Sequence, residues 1–172
     1  MATLADQFSQ MFRDEHRQIR DALLDLVDAF AARDTARIRS LLGQIAVLTG
    51  PHFRYEEEAL YPNLVEIFGA DYVEKLLHDH DRAIGIAKQL VNLAAREPLS
   101  DLDVATATRY VRTILPHVSD CDGLSIMVER LPEQKVQAIF DARDRAHRAG
   151  LDLMQWADQV RRRPAVEPES TD

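Results

Sequence analysis

Apolar positions recur at three- and four-residue intervals along almost the whole chain, the period of helices that bury one face. Phe8, Phe12, Ile19, Leu23, Leu26 and Phe30 mark a first helix over about residues 4–33. Asp34 or Thr35 can cap a second, whose stripe of Ile38, Leu41, Ile45, Leu48, Leu60, Leu64 and Ile67 continues to Gly69. A third runs from Asp71 to about Arg96 on Val73, Leu76, Leu77, Ile84, Ala87, Val91 and Ala94, and a fourth carries Ala107, Val111, Ile114, Leu124 and Val128 up to Leu131-Pro132. A fifth, over about 133–160, packs through Val136, Ile139, Phe140, Leu153, Met154 and Trp156. The reading is all-α: an up-down-up-down four-helix bundle over about 4–131 with an additional C-terminal helix, one domain over 1–160. The Pro- and acid-rich stretch 161–172 reads as a disordered tail.

Polar residues interrupt these stripes at particular places. His52 and Glu56 are four apart, about 40° around a helix axis, so they project side by side as an imidazole and a carboxylate from the apolar face of the second helix. That is a metal-chelating pair, and a buried carboxylate needs a partner, a proton or a cation. Pro51 and Pro62 bracket the pair and bend the helix around it. Glu57 and Glu58 point away from His52 on a regular helix and are read as solvent-facing or supporting groups.

His16 lies between Phe12 and Ile19 on the first stripe, and His80 lies on the third. His78, rotated about 200° from His80, faces outward. On the fourth helix His117 faces inward, and two residues compete for the next position on its side. An ideal helix presents Cys121, about 40° from His117, while a locally widened turn presents Asp122, made easier by Gly123. His147, among Arg143, Arg145 and Arg148, is read as a surface residue. One inward histidine has an ordinary explanation as a hydrogen-bonded core group. Four of them, one per helix of a bundle, call for a shared metal ion. Imidazole with carboxylate suits iron, manganese or zinc.

The formal net charge of −8 excludes a phosphate-tracking nucleic-acid surface, and the run Arg161-Arg162-Arg163 is read as a solvated helix exit. No apolar stretch approaches the roughly 18 residues of a membrane span. Asp6, Arg13, Asp14 and Glu15 stand where a signal peptide needs its apolar segment, and one cysteine excludes an intrachain disulfide. The expectation is a cytoplasmic protein with no nucleic-acid or membrane partner.

Taken in order, Asp14-Glu15-His16, His52-Phe53-x-x-Glu56-Glu57-x-x-Leu60-Tyr61-Pro62, Asp79-His80 and His117-x-x-x-x-Asp122 resemble the hemerythrin-like, or HHE cation-binding, family of bacterial type, over about residues 8 to 130. The resemblance implies a four-helix bundle around a non-haem diiron site, its two irons bridged by carboxylates and an oxo group, with zinc or manganese as other occupants. By it His16, His52, His80 and His117 are terminal ligands, and Glu56 and Asp122 are bridges. Two departures stand out. Oxygen-carrying hemerythrins have a second histidine four residues from the first in the third helix, where this chain has Leu76 and Ile84. Many bacterial relatives have His-x-x-x-Glu in the fourth helix, which puts Cys121 at the Glu position. Asp122 is preferred over Cys121, because a hard carboxylate is the usual iron bridge and a thiolate beside an oxygen-reactive centre invites oxidation.

The function this implies is binding, sensing or reaction of a small ligand such as dioxygen, peroxide or nitric oxide, in the context of oxidative stress. Iron buffering, delivery or repair of iron centres is the alternative, and a metal-stabilised interaction scaffold is the third reading.

Overall fold

The computed structural model describes residues 1–163, and among these it contains helices and no strand. Helix α1 spans Leu4–Ala31 and begins with a reciprocal cap: the Thr3 hydroxyl accepts from the Asp6 amide, and the Asp6 carboxylate accepts from the Thr3 amide. Helix α2, Thr35–Tyr55, is capped by Asp34. It runs into a widened π-helical turn over Glu56–Leu60 and continues as α3, Tyr61–Phe68, which stops at Gly69 with φ +84°. Helix α4 covers Ala70–Ala94; α5 covers Asp101–Asp122 and opens on a Ser100/Asp103 cap.

Helices α1, α2, α4 and α5 form the bundle, α1 packing on α2 and α5, and α4 on the same two from the other side. Its interior is apolar at both ends. Phe8, Phe12, Tyr61, Leu64, Leu76 and Leu124 fill one half, and Ile19, Leu26, Phe30, Ile38, Leu90 and Val111 fill the other. The four inward histidines and Glu56 make a polar layer between these halves. Val91, expected inside, is half exposed.

Three local departures from regular helix bear on that layer. Pro62 cannot donate to the carbonyl of Glu58 and its ring crowds that carbonyl, a conflict the widened turn relieves. In it the Tyr61 amide reaches back five residues to the Glu56 carbonyl. The extra residue changes the rotation of the turn, so Glu57 is buried beside Glu56 while Glu58 stays exposed. The widened turn that favours Asp122 was expected in the fourth helix; the widening occurs instead in the second. Beyond Asp122 the backbone tightens into a 3-10 helix, Gly123–Arg130.

The fifth helix is broken. Helix α6, Glu133–Ala149, ends at Gly150 in the left-handed conformation (φ +65°), and α7, Leu153–Gln159, restarts on an Asp152/Gln155 cap. Both lie against α2, α6 also meeting α1 and α7 also meeting α4. At the crossing Gly50 leaves no room for a side chain, since a Cβ there would sit 2.6–2.7 Å from the backbone of Leu151, Asp152 and Leu153. Leu153 and Trp156 bury themselves against Phe53 and Ile84. The tail expected over 161–172 falls, for 164–172, outside the described residues. Arg161–Arg163 are described: Arg162 and Arg163 are exposed, as a solvated exit requires, but Arg161 is not, and both Arg161 and Arg163 pair with Asp81 on α4.

Candidate metal centre

The polar layer is assembled by neighbouring helices in rotation. His16 is buried between Phe12 and Ile19 on α1, His52 comes from the last turn of α2, His80 from the middle of α4 and His117 from the last turns of α5. Glu56, only 1% exposed, sits among them. Its Oε1 is 3.3 Å from His52 Nε2 and 4.0 Å from His16 Nε2, and its Oε2 is 3.1 Å from His80 Nε2. His117 Nε2 lies 3.4 Å from the Cys121 thiol. His16, Glu56 and Cys121 each offer one ligand atom, and those atoms all lie within 4.8 Å of one another.

In every one of these histidines Nδ1 is taken by a group outside the layer. His16 Nδ1 donates to the Phe12 carbonyl (2.8 Å). His52 Nδ1 meets Glu15 (2.7 Å), His80 Nδ1 meets Glu57 (2.9 Å) and His117 Nδ1 meets Asp79 (3.3 Å). Such contacts fix ring orientation and tautomer and leave Nε2 for a metal. The three carboxylates follow one rule: each is the chain neighbour of an inward group on its own helix. Glu15 precedes His16, Glu57 follows Glu56, and Asp79 precedes His80. Adjacent helical residues differ by about 100°, so one of each pair points inward while the other reaches sideways to the next helix.

Electrostatics divides the histidines into two pairs. Burial lowers His16 to about 4, assisted by the His52 charge, and burial together with the His80 charge lowers His117 to about 4. Burial acts on His52 in the same direction but is overridden by Glu56 and Glu15, which raise it to about 10. Glu56 and Glu57 likewise raise His80 against its burial. Burial alone favours a neutral Glu56, yet the His52 charge holds its carboxyl well below the usual range. Burial and then Glu56 push the Cys121 thiol well up.

Four buried polar atoms of this site have no hydrogen-bond partner among the described residues: His52 Nε2, both Glu56 oxygens and Asp122 Oδ1. Buried polar atoms are otherwise nearly always paired. Here they are ligand atoms suited to a hard cation: those of His52 and Glu56 lie within the layer, and that of Asp122 lies at the end of α5. The profile of the hemerythrin HHE cation binding domain matches residues 7–124. This chain belongs to the hemerythrin HHE family. No curated protein and no solved structure matches it.

As in the family, the HHE domain here carries a cation-binding site, and the orphaned atoms fit that role. Of Cys121 and Asp122, the thiol lies in the layer beside ligand atoms of His16 and Glu56, whereas Asp122, half buried at the end of α5, has one orphaned buried oxygen and acts electrostatically on His16. Leu76 and Ile84 are buried apolar groups on either side of His80, so α4 contributes a single inward histidine. His78 and His147 are exposed, as their positions predict. Along the bundle axis an apolar cavity of about 70 Å³ opens onto His16, His52, Glu56 and His117, between Ile19, Leu23 and Ile114. Val91 and Met154 also line it. No helix among the described residues is long and apolar enough to cross a membrane.

Several groups that shape the site have no role assigned from sequence alone. Glu15 and Asp79 stand there as parts of motifs, and adjacency to an inward histidine is the signal that they reach the next helix. Tyr55 donates to Glu15 (2.6 Å), and the Tyr61 hydroxyl lies 3.0 Å from His80 Nε2 and 3.6 Å from the Cys121 sulfur. Arg143 and Arg161 carry no local signal at all, because Glu15 and Glu57, the carboxylates they reach, are more than a hundred residues away in sequence.

Proposed function

We propose that this HHE domain holds two irons and that its centre binds, senses or reacts with a small ligand such as dioxygen, peroxide or nitric oxide. The observation that carries the reading is the set of partnerless buried oxygens, two on Glu56 among histidines whose Nδ1 atoms are already engaged and one on Asp122. His16, His52, His80 and His117 serve as terminal ligands, and Glu56 and Asp122 bridge. Asp122 is preferred to Cys121 as a hard oxygen donor with an unmet bonding need. Bound iron supplies Lewis acidity and one-electron redox chemistry.

The remaining work falls to the chain. A single inward histidine on α4 leaves the centre short of protein ligands, which favours reaction at the metal over reversible carriage. The 70 Å³ cavity has room for a diatomic molecule, by comparison with the roughly 10–15 Å³ that one water occupies on this measure. Its aliphatic lining discourages water. The Tyr61 hydroxyl is placed to donate a hydrogen bond at the layer.

The test is metal content per chain after expression in iron-supplemented medium, with optical spectra before and after air exposure. Two irons with near-ultraviolet charge-transfer absorption are expected, and His52→Ala should lose both signals. One iron or none in the unaltered protein overturns the reading.

A further inference from the structure

The family match ends at residue 124, but the buried network around the histidines does not. Arg143, on α6, donates Nε to Glu15 Oε1 at 2.6 Å, and the other Glu15 oxygen is the one that meets His52 Nδ1. Arg161, beyond α7, lays its guanidinium along Glu57 with contacts of 2.9–3.2 Å, and Glu57 Oε1 is the oxygen that meets His80 Nδ1. Two elements that are independent in sequence therefore end in the same arrangement: arginine, carboxylate, imidazole.

Neither arginine is placed like an ordinary surface pair. The Arg161 side chain is 12% exposed and that of Glu57 is 2%. The Arg161 amide donates to the Trp156 carbonyl (2.7 Å), and its guanidinium lies over the Trp156 ring at 5.8 Å. Trp156 is itself anchored in the groove beside α2. A buried ion pair is weak evidence of added stability, because desolvation offsets most of its attraction. Its geometric effect is firmer. The Arg161 guanidinium, by holding both Glu57 oxygens, fixes the direction in which that carboxylate accepts and so the plane of the imidazole bound to it. Arg143 does the same less fully, by pinning the Glu15 oxygen that His52 does not use. His16 and His117 lack this support: one rests on a backbone carbonyl, the other on Asp79 with no arginine behind it.

The geometry points to a clamp formed by residues 133–161, in which Arg143 and Arg161 are positioning residues that set the orientation of His52 and His80 through Glu15 and Glu57. This rests on the reading of those histidines as metal ligands. The C-terminal helices then act on two of the four histidines without touching the metal.

The test uses the full chain with Arg143→Gln, Arg161→Gln and the Lys variant of each, and Arg145→Gln as a surface control. In metal-free protein, imidazole N–H resonances of His52 and His80 should exchange slowly, and each Gln variant should speed exchange at its own histidine only. In iron-loaded protein each Gln variant should speed iron loss to a chelator by about 10- to 100-fold, as loss of an outer partner commonly does. Lysine should restore Arg143, which makes one contact, better than Arg161, which makes a fork. Unchanged imidazole exchange and unchanged iron loss in both Gln variants overturn the clamp, even if their melting temperatures fall. An unaltered protein that holds no iron but shows the imidazole contrast defeats the diiron reading and leaves the clamp standing.

Discussion

His52 and His80 differ from His16 and His117 in nearly every respect except residue type. Each of the first pair lies between two carboxylates, is shifted by them toward its charged form and is braced from outside the bundle by an arginine. The second pair is kept neutral by burial and has one acceptor each. Four equivalent-looking histidines therefore offer a cation two different halves, one shifted toward the neutral ring that binds metal and one shifted toward the protonated ring. The lesson is that inward placement makes a histidine a candidate, while the group on its far nitrogen decides how it behaves.

The strongest way to break the contrast is Glu56→Gln. It removes the charge shared by His52 and His80, so both should fall toward ordinary imidazole behaviour. Metal retention should drop by more than the roughly 10- to 100-fold typical of losing an outer partner, measured as metal per chain after dialysis. A variant that retains metal as the unaltered protein does would show that Glu56 is a structural acid only.

Gly50→Ala strikes the clamp alone. Its new Cβ meets backbone at 2.6–2.7 Å, and overpacking of this kind costs about 1–3 kcal/mol. At roughly 2–4 °C per kcal/mol for a chain of this size, the melting temperature should fall by several degrees. Gly43→Ala, with nothing within 4 Å of its Cβ, is the matched control and should stabilise by about 0.5–1 kcal/mol through helix propensity. Equal effects at the two glycines would mean that α7 is not docked on α2.

The subtlest difference is in pH. His52 is raised from 6.5 to about 10, so between those values the native state keeps a proton that the unfolded chain has released. Stability of the metal-free protein then falls as pH rises through that window. His16 and His117 are lowered from 6.5 to about 4, so the unfolded chain takes up protons there that the native state refuses, and stability falls as pH drops from 6.5 to 4. Denaturant titrations of metal-free protein should show a maximum near pH 6.5, where the His52 and the His16/His117 windows meet. A curve that climbs steadily across the His52 window, from 6.5 toward 10, would contradict the charged state of that residue.

Much of this was legible in the sequence because bundle helices bury one stripe, and a polar residue on that stripe is conspicuous. The five helical segments, the inward His16, His52, His80 and His117, and the outward His78 and His147 all follow from a 3.6-residue period. What escaped was whatever departs from that period. The π turn moved Glu57 indoors, and Gly150 cut the last helix in two. Long-range pairing escaped as well: Arg161 stands in a basic run that looks solvated until Glu57, 104 residues earlier, is found beside it.

The alternation of an inward group with a sideways carboxylate has a mechanical corollary. Glu15, Glu57 and Asp79 pass support from α1 to α2, from the turn after α2 to α4, and from α4 to α5, so the helices interlock like meshed gears. If α1, α4 or the turn after α2 swings out of the bundle, it takes its own inward group with it and also releases the ring on its neighbour, so a turn of one residue in any of these three is felt at two positions in the centre.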